Sequence, residues 1–214
     1  MLKFNSLSSS SSTAKRDELK AQIRTLAANT NNGINASQST QNQIMEYVQQ
    51  LEKLNPTKRN NLTSNSKLDG SWNLVYTTNG GSSAGKLGPF VGDVEQRILL
   101  SKVSTDSSVD DDYYINYVRL GGNLIEGALA ANWDVLSGDT WQVNFQSLQF
   151  KIFGIKVLDT ELKAQGIWRK TYLDDDFRIL YASAKNDDRL EKKKSTTTSS
   201  NEVVKESIYI LSRN

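Results

Sequence analysis

The chain has 214 residues, of which 37% are hydrophobic and 23% charged, and its 26 basic and 24 acidic side chains give a net charge of +2. This length is sufficient for one main domain with a smaller appendage. So balanced a charge argues against an extended nucleic-acid interface. The sequence contains no histidine and no cysteine, which excludes Ser-His-Asp and Cys-His catalysis, zinc sites built on these residues, and disulfides.

The N-terminal residues 1–14 are rich in serine and lack the apolar stretch of a secretory signal. They resemble the end of an organellar transit peptide, and a disordered leader explains the same composition equally well. No apolar run in the chain reaches the roughly 18 to 20 residues that a membrane-spanning helix needs.

Two amphipathic helices are predicted in residues 15–56. Apolar residues recur at helical spacing in 19–27 and again in 44–54, with a break at Gly33 between them. Asn55-Pro56 ends the second helix. The second helix lacks the Lys/Arg-rich polar face of a membrane-lying helix, so we predict a helical hairpin that packs on the following domain.

From residue 68 onward the hydrophobic pattern has a period of two, which is typical of strands. The polar stretch 57–67 is predicted as a linker and 185–206 as a flexible insertion, both judged from composition. Residues 150–162 are apolar without regular alternation and are predicted as a surface segment. The predicted strands are 68–78, 94–100, 113–120, 124–136, 141–145, 166–173, 177–184 and 207–213. Strands separated by turns, with no helices between them, favour an antiparallel barrel in 68–214.

Two stretches have part of a ligand-binding motif. Gly80, Gly85 and Lys86 have the spacing of a phosphate-binding loop, but Leu87 replaces the Ser or Thr that would hold magnesium. The three aspartates at 174–176 lack the alternating ligand positions of an EF-hand. We therefore predict a loop beside the barrel mouth and an exposed turn, with no metal site and no cofactor.

Three stretches taken together resemble one family, the plastid lipid-associated proteins, also called fibrillins or plastoglobulins. They are 51–56 (LEKLNP), 68–78 (LDGSWNLVYTT) and 171–179 (TYLDDDFRI). The resemblance implies a mainly β fold, a lipocalin-like antiparallel β-barrel of about eight strands, here preceded by an N-terminal helical hairpin. It also implies chloroplast localisation, at plastoglobules or thylakoids, and association with isoprenoid lipids such as quinones and carotenoids. The second Arg and the Gly that commonly follow this last stretch in the family are absent, because the chain continues with Leu180 to Ser183.

Gly70 and Trp72 form the Gly-x-Trp motif with which calycin barrels, including lipocalins, begin. In calycins an Arg of a late strand packs over this aromatic ring, so the resemblance implies that Arg178 lies against Trp72 at the barrel floor. Asp174 is the nearest alternative partner for Arg178. A third interpretation places Arg178 at the surface, paired with the aspartates that follow Asp174.

Aromatic side chains that point into the barrel either line a ligand cavity or fill a solid core. We predict Tyr76 as the best ligand-binding candidate, because it is nearest to the loop at the open end. The other candidates are Trp133, Phe145, Trp168 and Tyr172.

The predicted function is that of a non-catalytic protein that binds or organises isoprenoid lipids at a peripheral membrane or lipid-droplet surface. In a second hypothesis the helical hairpin docks a prenyl-lipid biosynthetic enzyme or a thylakoid complex. A third hypothesis is an enzyme that uses Asp174 or Glu126 as acid or base. The sequence places no second carboxylate opposite either residue, so no catalytic residue is predicted.

Overall fold

The structure is a computed structural model that describes residues 6–101, 112–122, 124–185 and 206–213. Two helices come first, α1 (Ser6–Ala27) and α2 (Gln38–Lys53). Because α1 begins at Ser6, the prediction of a disordered leader is wrong for residues 6–14, while 1–5 lie outside the described residues. Extending an existing helix is much easier than starting one, so the serine-rich turns continue the helix that Leu19 and Ile23 anchor by their burial.

Ten strands follow in the described part of the chain, and eight of them close into an antiparallel barrel in the order β1-β10-β9-β8-β7-β6-β5-β4. Their bounds are β1 (Gly70–Thr77), β2 (Lys86–Leu87), β3 (Phe90–Val91), β4 (Asp93–Leu99), β5 (Tyr113–Leu120), β6 (Ile125–Val135), β7 (Thr140–Ile152), β8 (Ile155–Leu173), β9 (Phe177–Ala184) and β10 (Ser207–Ser212). β2 and β3 form a separate two-stranded sheet. The predicted fold class is confirmed. The predicted insertion at 185–206 lies outside the described residues except at its two ends.

Residues 150–162, predicted as a surface segment, are mostly exposed, but they are the end of β7 and the start of β8, which the pattern did not indicate. β7 and β8 pair from Thr140 and Arg169 at one end to Ile152 and Ile155 at the other, so their outer halves form a long hairpin. In the outer half of β8 both faces of the strand are exposed. Since neither face is buried there, the hydrophobic period of two is lost although the strand persists.

The core has two parts, one inside the barrel and one between the barrel wall and the two helices. Trp72 and Leu74 belong to the inner part, whereas a β-bulge after Leu74 turns Tyr76 to the outer part. A second bulge, after Lys170, does the same to Tyr172. A bulge adds one residue to a strand and so reverses the face on which the following side chains lie.

The predicted linker, 57–67, closes one end of the barrel. It contains two short 3₁₀ turns, and its Leu62 is buried in the inner core. The indole N–H of Trp141 donates to the backbone oxygen of Thr63 at 3.3 Å, and that of Trp72 donates to the backbone oxygen of Leu68 at 2.9 Å. We call this end the floor. The opposite end, where β1 ends and β8 begins, is the mouth.

Candidate functional site

A cavity of about 370 Å³ opens at the mouth. Residues of β4 to β10 form its wall, so the barrel is hollow in its mouth half. Side chains on this wall include Gln96, Tyr114, Asn116, Phe145, Trp168 and Tyr209. The wall therefore combines large aromatic surfaces with a few amide and hydroxyl groups, which is the usual composition of a small-molecule pocket.

The five predicted ligand-binding residues are divided by the structure. Phe145 and Trp168 line the cavity. Trp133 stacks on Trp141 in the inner core, with 4.2 Å between the ring centroids, and is not part of the cavity wall. Tyr76 and Tyr172 lie beneath the helices, on the other side of the barrel wall. For these two the prediction of a place in the cavity is wrong, because a bulge precedes each of them.

Three polar wall residues were missed from the sequence. Gln96 and Asn116 interrupt the inward-facing apolar positions of β4 and β5, and both are buried. A polar side chain at an inward-facing position of a strand was the sequence signal that could have identified them as wall residues. Tyr114 lies edge-on to Trp168, with 4.9 Å between their centroids. Burial raises the pKa of Tyr114, which therefore stays a neutral hydroxyl at ordinary pH.

Arg178 lies directly below the cavity and is fully buried. Its guanidinium carbon is 5.0 Å from the centroid of the Trp72 ring, and its Nη2 donates to Oε1 of Gln96 at 2.6 Å. This is the contact with Trp72 that the resemblance implied, and burial rules out the surface alternative. Burial lowers the pKa of Arg178 to about 9, so the group stays charged at neutral pH. The amide of Gln96 thus joins a buried cation to the cavity base.

Lys170 is a second buried basic group, and the sequence does not reveal it because lysine is rarely buried. Its Nζ lies 3.0 Å from the centroid of the Trp141 ring and has no hydrogen-bond partner among the described residues. Burial lowers the pKa of Lys170 well below its usual value, and the charge of Arg178 lowers it further. The barrel floor therefore holds two basic groups stabilised by aromatic faces.

Asp174 lies outside the barrel, under α1. It accepts hydrogen bonds from Lys20 Nζ at 3.0 Å and from the Tyr172 hydroxyl at 2.6 Å. It also accepts from the backbone N–H groups of Asp176 and Phe177, which shapes the turn between β8 and β9. Asp174 is therefore not the partner of Arg178. It fixes α1 to the barrel.

Glu126, the other carboxylate considered for acid or base catalysis, is paired with two cations. It accepts from Arg119 Nε at 3.1 Å and from Lys151 Nζ at 3.2 Å. Burial would raise the pKa of Glu126, but these hydrogen bonds outweigh burial and lower it. Neither Glu126 nor Asp174 is part of the cavity wall.

Two further observations concern metals and membranes. Within the described ranges, no group of three or more acidic side chains is arranged to hold a metal ion. None of the described helices has both the length and the apolar character needed to cross a bilayer.

Fold and site together define a small antiparallel barrel with a ligand-sized cavity at one end and a sealed, basic floor at the other. A family model, PAP_fibrillin, matches residues 17–162, which is more than half of the chain. The chain therefore belongs to the plastid lipid-associated proteins, or fibrillins. It is a plastid lipid-associated protein of a family that is generally structural and non-enzymatic. No curated protein and no solved structure matches the chain significantly.

Proposed function

We propose that this protein binds an isoprenoid lipid, without catalysis, by taking one end of the molecule into the cavity at the mouth, and that it works at plastoglobules or thylakoids. The observation that carries the proposal is the cavity of about 370 Å³ between Phe145 and Trp168, in a chain of a lipid-associated family. This volume is at the lower end of the roughly 300 to 1,000 Å³ of small-molecule pockets. It accommodates a ring and the start of a tail, while the rest of the tail leaves through the mouth.

The polar groups of the wall favour a quinone over a hydrocarbon carotenoid. Gln96 uses its carbonyl oxygen to accept from Arg178, so its NH₂ group remains as a donor at the cavity base. Asn116 and the Tyr114 hydroxyl add further donors. Quinone carbonyls accept such hydrogen bonds, whereas a hydrocarbon would leave these buried donors without partners.

The expected affinity is micromolar. Burial of roughly 300 Å² of apolar ligand surface contributes about 7.5 kcal/mol at ~25 cal/mol per Å². The cost of association removes several kcal/mol of this gain. The hydrogen bonds at the cavity base then add selectivity for the ring more than affinity.

The alternative in which the helical hairpin docks a protein partner has less support. The apolar stripes of both helices are already buried against the barrel wall: Leu19, Ile23, Ala27, Ile44, Val48 and Leu51. The faces left exposed are mainly polar. For the same reason, removal of the hairpin would uncover the outer core and unfold the barrel.

Filling the cavity should abolish ligand binding. Ala182 on β9 lines the cavity, so Ala182→Phe is expected to weaken binding of a short-chain plastoquinone analogue at least about tenfold, because the new ring occupies the site. Titration with quenching of tryptophan fluorescence measures this, since Trp168 is in the wall. Ala130→Phe on β6 is the matched control. It adjoins the cavity-lining Leu129 and therefore faces the opposite side of the strand.

Two results would count against the proposal. The first is a folded wild-type chain whose fluorescence stays unchanged at every quinone concentration. The second is an Ala130→Phe variant that binds as weakly as Ala182→Phe, which would locate the ligand elsewhere.

A further inference from the structure

The end of the long β7–β8 hairpin exposes an apolar surface at the mouth of the barrel. Phe153 and Ile155 are 73% and 70% exposed. We call this surface the hairpin tip; it consists of Leu124, Ile152, Phe153, Ile155, Val157 and Leu158. Leu124 belongs to it because its backbone oxygen accepts from the N–H of Phe153 at 2.7 Å. Six exposed large apolar side chains on one projection need a partner outside the chain.

The turn at this tip has an unusual residue at its apex. Phe153 and Gly154 form the two-residue turn between the paired residues Ile152 and Ile155, and their φ angles are +50° and +77°. Type I′ hairpin turns require positive φ at both positions and favour Asn-Gly. A bulky side chain at positive φ is strained. Since the Phe153 ring is mostly exposed, packing against the described residues does not offset this strain, and a strained residue at a projecting apex indicates a functional contact.

We propose that the hairpin tip inserts into an uncharged lipid surface and places the mouth of the barrel against that surface. Ile152 and Leu158 share one face of the hairpin, because Ile152 pairs with Ile155 and Phe150 with Leu158, while the opposed Lys151 and Lys156 lie on the other face. An apolar face flanked by lysines in this way suits insertion between lipids.

The same face leads towards the cavity along β7, because Leu148 and Phe150 precede Ile152 on that face and Leu148 pairs with the cavity-lining Leu129. A lipid can therefore pass from the surface to the cavity along apolar side chains.

The charges around the tip argue for uncharged head groups. Lys151 pairs with Glu126 at 3.2 Å, and Lys156 pairs with Asp159 at 2.7 Å. Paired cations contribute little net attraction to an anionic surface. Long lysine side chains beside an apolar tip can instead keep their ammonium groups in the aqueous layer while their stems lie among the lipids. Docking should then depend on apolar burial and persist at high salt.

This proposal rests on the lipid-associated role proposed above, but its test does not involve the cavity. The full chain is floated with phosphatidylcholine vesicles that contain no quinone, at low and at high salt. Phe153→Asn creates the favoured Asn-Gly turn, so the fold should be retained or stabilised. Its partition coefficient should fall about tenfold or more, the factor expected when one phenylalanine no longer leaves water.

Two threonine variants provide a matched pair. Ile155→Thr removes apolar surface from the tip while keeping a residue that favours strands, and it should also weaken flotation. Val135→Thr makes a similar change at the floor end of β6, where Val135 is 59% exposed, and should float like the wild type. Thermal unfolding of each variant verifies that the fold is unchanged.

Three outcomes would overturn the proposal. The wild-type chain does not float, the Phe153→Asn variant floats as well as the wild type, or the Val135→Thr variant loses as much flotation as Ile155→Thr. Flotation that requires anionic lipid and disappears in salt would contradict insertion. A wild-type dimer that becomes monomeric in Phe153→Asn, without flotation of either, would assign the tip to contacts between two copies. A tip variant that no longer floats but binds quinone normally leaves the proposed cavity function intact. The Ala182→Phe variant should float normally but bind quinone weakly.

Discussion

Replacing Asp174 by Asn should lower the free energy of unfolding by about 3 kcal/mol. The carboxylate of Asp174 and the ammonium of Lys20 are both buried, with Nζ and Oδ2 separated by 3.0 Å. Removing one partner of a buried ion pair typically costs about 3 to 5 kcal/mol, because the other charge remains in a poorly solvated place. Asp176 also accepts from Lys20 Nζ, at 2.5 Å, so we expect the lower end of this range.

An amide at position 174 cannot replace all the hydrogen bonds that the carboxylate of Asp174 accepts. One oxygen accepts from both Lys20 and the Tyr172 hydroxyl, while the other accepts from two backbone N–H groups of the turn. An Asn side chain has one oxygen and one NH₂ group. Whichever way it is placed, its NH₂ group must face donors, so at least one set of these contacts is lost.

Asp175→Asn is the matched control for this prediction. Asp175 is in the same turn, but its side chain is 84% exposed and its ion pair is with Lys67 at the surface. We expect a change within about 0.5 kcal/mol. Urea unfolding of the two variants measures the difference. Equal stability of Asp174→Asn and Asp175→Asn would show that the contacts under α1 contribute little to stability.

The same turn shows what sequence reasoning can and cannot provide. The run of aspartates correctly predicts a turn between two strands, because Asp side chains readily accept from nearby backbone N–H groups. The prediction that this turn is exposed holds for Asp175 but is wrong for Asp174, which is buried under α1. The sequence does not show which of the three is buried, since that depends on where α1 crosses the barrel. Asp174 and Asp176 reach Lys20, which is more than 150 residues away in the chain.

The positions of the aromatic residues depend on register, which is why only part of the candidate site could be predicted. Alternation correctly places Trp72, Phe145 and Trp168 inside the barrel. No bulge separates any of them from the alternating residues that predict which face it is on. It fails for Tyr76 and Tyr172, because the extra residue of a bulge has no sequence signal of its own here. The strands themselves were easier to predict where one face is buried, which is why the exposed outer half of β8 was missed.

Replacing Lys170 by Met should raise the free energy of unfolding by about 1 to 3 kcal/mol. The amine of Lys170 has no hydrogen-bond partner among the residues that the structure describes, and its charge is compensated by the face of Trp141 and by the charge of Asp139. A desolvated cation–π contact contributes about 2 kcal/mol, whereas burying the amine costs more, either as the desolvation of the ion or as the loss of its proton. Met has a similar length and flexibility, so it should fill the same space without the desolvation cost.

Lys163→Met is the matched control for this substitution. Lys163 is on the same strand, β8, but is exposed to solvent. Because no buried charge is removed there, we expect a change within about 0.5 kcal/mol. Urea unfolding at neutral pH compares the two variants.

The pH dependence provides a second and more specific test of the buried Lys170. Its pKa in the folded chain is well below the 10.5 of an unperturbed lysine, so between these values the unfolded state binds more protons. Wild-type stability should therefore rise with pH in this window and fall as the pH is lowered through it. Arg178, whose pKa falls to about 9, also makes stability rise with pH. Tyr114, whose pKa is raised, makes stability fall with pH above about pH 10. At pH values between the lowered pKa of Lys170 and 10.5, the Lys170→Met substitution should reduce this slope. A less stable variant with an unchanged slope would mean that the contact with Trp141 outweighs the cost of burying the cation.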